Sequence, residues 1–207
     1  MKRLSAIGAA LLLCALLCPV PAEAANRVET LTTDVALRAD GSAEVTQVFS
    51  ARTDEGTEFY LDRMDSGTLT YSDFSVSDEN GAYEVLPDDA WDIDADFAGK
   101  SGKCGLLTID GGVELCWGIT EYGRNTYTVS YTVGGLAGAY DDADGFLYRF
   151  IDPDQALFPT DALVTVRMAD GTPLTEENCG IWAFGFDGEI LFENGEIHAR
   201  TNTALEG

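Results

Sequence analysis

Aspartate side chains are the most frequent groups in this sequence that could do chemistry, and one run of them has regular spacing. Asp92, Asp94 and Asp96 alternate in the segment WDIDADF. On a strand they would share one face, as a metal site or as a solvated acidic edge. A calcium loop needs a glycine where Phe97 stands, so we predict the acidic edge, with Ca²⁺ as the alternative.

A second acidic segment, YDDADG, contains Asp142, Asp144 and Gly145 in positions that match the middle of a calcium loop. Tyr140 occupies the first ligand position and Ile151 the closing glutamate position. Because both end ligands are missing, we predict a connecting loop before a core strand and no cofactor.

Three cysteines follow residue 24. Cys104 and Cys116 flank the turn signal DGG almost symmetrically, a pattern that predicts a disulfide bridge across a hairpin and leaves Cys179 unpaired. The alternative is that all three are reduced and buried as small hydrophobic side chains. Three thiols without a C-x-x-C pair do not have the spacing of a zinc site.

Groups for covalent or acid–base catalysis are sparse. His198 is the single histidine, it lies in an alternating stretch, and the sequence contains no G-x-S-x-G elbow. We therefore predict that the protein is not an enzyme and that His198 is a surface residue of a strand. A hydrolase with a carboxylate pair is a further hypothesis, although no spacing singles out a pair.

The tryptophans could form a sugar-binding platform, because aromatic rings stack on sugars. Trp91, Trp117 and Trp182 each lie in an apolar run that resembles a strand. Core packing is therefore the predicted role for all three.

The elements that would position these groups are strands, because the dominant hydrophobic period is two. Tyr127, Val129, Tyr131 and Val133 share one face of a strand, with hydroxyl residues between them. The same alternation predicts an opening hairpin, with Leu31, Thr33, Val35 and Leu37 before an Asp-Gly turn and Val45, Gln47 and Phe49 after it.

Further Asp-Gly and Asn-Gly pairs separate other short β-rich runs, and no long amphipathic helix is evident. Together they predict an all-β fold, an antiparallel β-sandwich forming a single domain over residues 25–207. A short helical turn is expected around 153–158. The additional predicted strands are 69–77, 82–86, 104–109, 113–119, 124–134, 162–169, 181–186, 189–193 and 196–201.

The first 24 residues have the layout of a cleaved signal peptide. Lys2 and Arg3 precede the apolar run from Ala6 to Val20, and an A-E-A cleavage signal follows at residues 22–24. An uncleaved anchor is the weaker alternative, because the run is short for a membrane span. We expect an exported protein, at the cell surface or secreted.

The charge balance restricts the partners. The whole chain has 36 acidic and 12 basic residues and a net charge of −24. A surface this acidic repels the phosphates of nucleic acids and anionic lipid head groups, so we expect neither as a partner.

The opening hairpin with DGSAEVT (40–46), the strand YTVSYTV (127–133), and YDD (140–142) leading into LYRF (147–150) resemble a known bacterial family. It is the N-terminal domain of the predicted-membrane-protein family called domain of unknown function 2207. The resemblance extends over about 27–207, including GFDGEI at 185–190. It implies an extracytoplasmic β-sandwich between a signal peptide and a transmembrane helix, with no catalytic residues to carry over.

This chain differs in having no tryptophan in YRF (148–150) and in ending before a membrane span, so it is a secreted version or, as we favour, a fragment. The expected function is a non-enzymatic ectodomain that is tethered at the cell surface and contacts a protein or an envelope component. The alternative is a secreted module that binds calcium or carbohydrate.

Overall fold

The structure is a computed structural model that describes residues 26–64, 68–151, 159–185 and 187–202. It is a β-sandwich in which a large mixed sheet packs against a smaller one, as the alternating sequence predicts. The predicted signal peptide (1–24) and the predicted helical turn around 153–158 lie outside the described residues. Among the described residues, no helix is long and apolar enough to span a membrane.

The large sheet has eight strands in the order β13-β14-β12-β1-β2-β9-β4-β5. Its neighbours are antiparallel except β1 and β12, which pair in parallel along most of their length. The strands are β1 (Arg27–Leu37), β2 (Ala43–Thr53), β4 (Thr70–Asp78), β5 (Gly81–Ala82), β9 (Gly123–Gly134), β12 (Pro159–Met168), β13 (Gly188–Glu193) and β14 (Glu196–Thr201).

The small sheet has four strands in the order β3-β8-β7-β6, and a separate two-stranded ribbon, β10-β11, follows β9. A single turn of helix, α1, precedes β7. The bounds are β3 (Glu58–Met64), β6 (Glu84–Val85), α1 (Phe97–Lys100), β7 (Lys103–Ile109), β8 (Gly112–Gly118), β10 (Gly138–Ala139) and β11 (Asp144–Gly145).

The opening hairpin forms as the sequence predicts. β1 pairs with β2 along its length, and the Asp-Gly turn places Gly41 at a φ of 81°. That φ favours glycine, and a Cβ at Gly41 would also approach the carbonyl oxygen of Ala137 to 2.5 Å. The turn therefore requires glycine for two separate reasons.

The core lies between the two sheets and consists mainly of the inward residues of β1, β2 and β9 in the large sheet and of β3 and β8 in the small one. Alternation along β9 buries every second residue, from Asn125 to Val133. Side chains from two connecting segments pack against the core, namely Phe146, Tyr148, Phe150, Ile151, Leu174, Cys179 and Ile181.

Two local predictions were wrong, and one strand was missed. Residues 181–185 form no strand in the structure. The predicted acidic strand contains Asp96, whose side chain instead accepts a hydrogen bond from the Gly99 N–H at 2.8 Å and caps α1. An aspartate that bonds its own backbone in this way favours a helix start over a strand. β3 was not predicted, because its inward position Arg63 interrupts the apolar alternation.

Candidate functional site

The outer face of the large sheet carries rows of hydroxyl side chains. Residues paired directly across antiparallel strands share a face, so the register of β1, β2, β9 and β4 aligns them. We call this surface the hydroxyl face. Its rows are Thr30, Ser50 and Thr126; then Thr32, Thr128 and Ser77, with Val48 between them; then Thr46, Ser130 and Ser75, with Asp34 at the border.

The hydroxyl face is neutral over most of its area. Thr46 Oγ1 and Ser130 Oγ lie 3.2 Å apart, and either can be the donor. Each hydroxyl can both donate and accept a hydrogen bond. Such a surface can bind an uncharged polar partner without having to desolvate a full charge.

Charged residues border the hydroxyl face, and they are paired with one another. Arg167 donates to both carboxylate oxygens of Asp34, at 2.9 and 3.1 Å, and these bonds raise the pKa of Arg167. At the other end of the strands, Glu29 accepts from Arg27 at 3.4 Å and from Arg124 at 3.2 Å. The positive and negative charges along the border therefore largely cancel one another.

The interior contains a second polar group of residues, centred on Arg63. Its side chain is buried and donates to Gln47 Oε1 at 2.9 Å and to Tyr131 Oη at 3.0 Å. Burial by itself lowers the pKa of Arg63. The neighbouring tyrosines, Tyr131 more than Tyr148, outweigh this effect, and the pKa of Arg63 is raised. Among the described residues, no carboxylate forms an ion pair with this guanidinium.

Arg63 and Gln47 also hold the segment that follows β11. The guanidinium lies 5.9 Å from the ring centroid of Tyr148, and Gln47 Nε2 approaches the carbonyl oxygen of Phe150 at 3.4 Å. Gln47 Nε2 donates in addition to Thr33 Oγ1 at 3.1 Å. Arg63, Gln47 and Tyr131 are all buried, which favours a structural role.

The outer face of the small sheet carries carboxylates. Asp62 and Glu114 are directly opposite one another on β3 and β8, and Asp62 Oδ1 is buried with no hydrogen-bond partner in the described part of the chain. Partial burial, followed by the charges of Asp62 and Glu58, raises the pKa of Glu114. Two like charges in direct opposition favour sharing a proton.

The acidic residues singled out from the sequence do not converge. Asp92 accepts from the backbone N–H of Asp94 at 3.0 Å, and Asp96 caps α1, so both serve local turns. Asp142 and Asp144 lie at the exposed end of the β10-β11 ribbon. Within the described ranges, no three His, Cys, Asp or Glu side chains are grouped to hold a metal ion.

The predicted disulfide is not formed. Cys104 is paired with Trp117 and not with Cys116, so the two cysteines are one position out of register and point to opposite faces of the small sheet. Both are free and buried, and Cys179 is also free. Symmetric spacing about the turn predicted the hairpin correctly but could not fix this one-residue offset.

The tryptophans and the histidine divide between core and surface. Trp91 and Trp117 are buried, as expected, but Trp182 is 77% exposed, so its predicted core position is wrong. With two of the three buried, they cannot form a shared sugar platform. His198 lies on β14 as predicted, with Nδ1 3.1 Å from Thr165 Oγ1.

Sequence reasoning found one of the four strands of the hydroxyl face and missed the Arg63 group. Alternation places Thr128, Ser130 and Thr132 on the outer side of β9, but only the register shows that hydroxyls on β1, β2 and β4 continue these rows. For Arg63 a signal was present, because Phe59 and Leu61 precede it at a period of two. The charged residue in an inward position breaks the apolar alternation by which the strand would be recognised.

Three solved structures that are similar to this chain have low sequence identity to it. A candidate protease from Parabacteroides distasonis is 17% identical, with a TM-score of 0.41, over 87% of this chain and 36% of that one. A candidate nutrient binding protein from Legionella pneumophila is 9% identical, with a TM-score of 0.47, over 87% of this chain and 63% of that one.

Leukotriene A4 hydrolase from Saccharomyces cerevisiae is 7% identical, with a TM-score of 0.47, over 87% of this chain and 27% of that one. This chain thus spans between about a quarter and two thirds of these proteins. With TM-scores below 0.5, these similarities carry no argument about activity.

No curated protein matches this chain. The segments that resemble domain of unknown function 2207 in the sequence, namely the opening hairpin, β9 and the stretch 140–150, all lie within one matched range. Residues 27–202 match the model of the predicted membrane protein (DUF2207) N-terminal domain, and the chain belongs to that family.

Proposed function

We propose that this chain is a non-enzymatic, extracytoplasmic contact domain of a membrane-tethered protein, and that it binds a protein or an envelope component through the hydroxyl face. Membership of a predicted membrane protein family supports the tethering. The leader-like residues 1–24 support export.

The observation that carries this proposal is the continuity of the hydroxyl face across four neighbouring strands. The opposite side of the same strands is covered by the small sheet, whereas no described element covers the hydroxyl face. Its neutral character also fits a polar partner in a chain whose other surfaces are strongly acidic. Such a partner need not carry positive charge.

The reactive groups support a non-enzymatic role. Burial raises the pKa of Cys104 to about 11, and it raises the pKa of Cys116 further, so both thiols stay protonated at neutral pH. The single histidine, His198, has Thr165 Oγ1 at 3.1 Å from Nδ1 and Glu196 at 3.7 Å from Nε2, and in the described part of the chain no serine or cysteine forms a hydrogen bond with it.

Site-specific photocrosslinking in living cells tests the contact surface. The full-length protein would carry a photoreactive amino acid at Thr128, in the middle of the hydroxyl face. The matched control carries the same group at Tyr60, which is 45% exposed on the outer face of the small sheet. We expect a discrete adduct from position 128 and none from position 60.

Equal adducts at the two positions, or none at 128, would overturn the assigned surface. Export is tested separately with Thr128→Cys, in a Cys179→Ser background, and a maleimide that does not cross membranes. Labelling in intact cells is expected. Labelling that appears only after the cells are broken would overturn the extracytoplasmic location.

A further inference from the structure

Two aromatic side chains that are not part of the core lie two positions apart in the segment before β13. Trp182 is 77% exposed and Phe184 is 79% exposed. They are separated by Ala183, which is exposed as well. We call residues 182–184 the aromatic loop.

The aromatic loop lies near the place where the chain leaves the sandwich. It is followed by Asp187, whose carbonyl oxygen accepts from the backbone N–H of Asn202 at 3.2 Å. Gly188, the first residue of β13, pairs with Thr201. Since Phe184 is three residues from Asp187, it lies within about 11 Å of this exit along the chain.

The chain also enters the sandwich at this end. Val28 and Pro159 are paired at the start of β1 and β12, and Thr201 Oγ1 accepts from the N–H of Ala162 on the same part of β12. A tether attached before β1 or after β14 would therefore begin at this end. The exposed aromatics and the tether share one end of the molecule.

The charges around the loop indicate what kind of surface can cover it. Asp187 and Glu189 are close by in sequence, and Glu189 is already paired with Arg200. Asp161, which accepts a hydrogen bond from Thr201, lies at the same end, so the carboxylates near the loop outnumber Arg200 and would repel an anionic surface. Neutral head groups would not be repelled, and aromatic rings are enriched at the boundary between head groups and acyl chains.

We propose that the aromatic loop rests in the head-group layer of the membrane, with Trp182 and Phe184 entering neutral lipid and the sandwich standing on this end. The inference rests on the membrane tethering in the proposed function. It adds an orientation, in which the strands carrying the hydroxyl face rise from the bilayer surface.

Tryptophan fluorescence provides a specific test, because Trp91 and Trp117 are buried and Trp182 is the exposed reporter. The full chain would be reconstituted with phosphatidylcholine vesicles containing lipids brominated near the head group. We expect quenching of Trp182, protection from acrylamide, and little dependence on salt. Replacing part of the phosphatidylcholine by phosphatidylglycerol should weaken the quenching.

The variants separate the loop from the rest of the chain. Trp182→Phe should abolish the quenched component, and Phe184→Ser should reduce the docked population about tenfold, as expected for one buried aromatic ring. Leu147→Ser is the matched control, because Leu147 is 88% exposed in the connection after β11, and it should leave the quenching unchanged.

Absence of quenching by brominated lipid would overturn the proposal. So would protection from acrylamide without vesicles, which would mean that a second copy or another part of the protein covers the loop. The Thr128 photoadduct reports the hydroxyl face independently. A positive adduct with no lipid quenching would reject the orientation alone, whereas failure of export would reject the tethering on which both depend.

Discussion

The two halves of the core are built from different chemistry, although the same strands contribute to both. At the end of the sandwich where β1 begins and β14 ends, the core contains an aromatic cluster with ring centroids 5.5 to 6.1 Å apart. The cluster consists of Phe49, Phe59, Trp117 and Tyr127. Away from that end, the inward residues are instead polar: Gln47 lies two residues before Phe49 on β2, and Arg63 lies four residues after Phe59 on β3. We refer to these regions as the aromatic half and the polar half.

The difference shows how each half specifies the fold. The aromatic half buries a large apolar area, which stabilises the sandwich but tolerates different packings. The polar half instead has directional bonds between Gln47, Arg63 and Tyr131, which a shifted register would break. The aromatic half should therefore dominate stability, whereas the polar half should fix the alignment of β3 with β2 and β9.

The largest expected effect is that of Trp117→Ala in the aromatic half. Trp117 is fully buried, and its removal would leave a cavity beside Phe49 and Phe59. We expect the free energy of unfolding to fall by about 3–5 kcal/mol in urea denaturation. A loss below about 1 kcal/mol would mean that the aromatic half does not dominate stability.

Substitution of Arg63 should be less costly and should depend on what replaces it. Arg63→Ala leaves a cavity and deprives Gln47 Oε1 and Tyr131 Oη of a donor, so we expect a loss of about 3 kcal/mol. Arg63→Met fills the space without the charge and should lose only about 1 kcal/mol. Equal losses for the two variants, measured by the same urea denaturation, would show that the cavity contributes little and that the loss comes from the guanidinium bonds, which both variants lack.

The sequence predicts the strands of this fold far better than the pairing between them. Alternation along Tyr127 to Val133 identifies β9, and the Asp-Gly turn at Gly41 identifies the opening hairpin, because both signals are local. The parallel pairing of β1 with β12 joins residues about 130 positions apart. Nothing in either strand encodes that neighbour, so an antiparallel arrangement throughout was the natural expectation.

The candidate site shows the same limit. Hydroxyls on the outer side of β9 are visible in the sequence, but their continuation on β1, β2 and β4 depends on register. Trp182 was placed in the core because its segment alternates in the manner of a strand. Alternation indicates a buried face only if a partner strand and an opposing layer exist, and in the structure residues 181–185 have no such partner strand.

A smaller effect, on the outer side of the small sheet, should depend on pH. The raised pKa of Glu114 means that the folded state holds this proton more tightly than the unfolded chain does. Stability is therefore lost as pH rises from about 4.5, the ordinary glutamate value, through the raised pKa. Glu114→Gln should be more stable than the parent at pH 7, by less than about 1 kcal/mol because the pair is partly exposed.

The parent and the Glu114→Gln variant should converge in thermal melts below pH 4.5, where the parent carboxyl group is also neutral. Glu84→Gln is the matched control, because Glu84 is exposed on β6 and the net charge changes equally. If Glu84→Gln gave the same gain at pH 7, total charge and not the opposition of Asp62 and Glu114 would be the cause.

The smallest expected effect on stability belongs to the hydroxyl face, and for that reason it separates folding from function. Thr46→Val with Ser130→Ala removes one hydrogen bond at 3.2 Å on a solvated surface. We expect the free energy of unfolding to change by no more than about 0.5 kcal/mol, while the photoadduct at Thr128 weakens. A variant that kept the adduct at full strength would show that the partner does not use these hydroxyls. Since neither half of the core touches this pair, a loss of contact could not be attributed to loss of the fold.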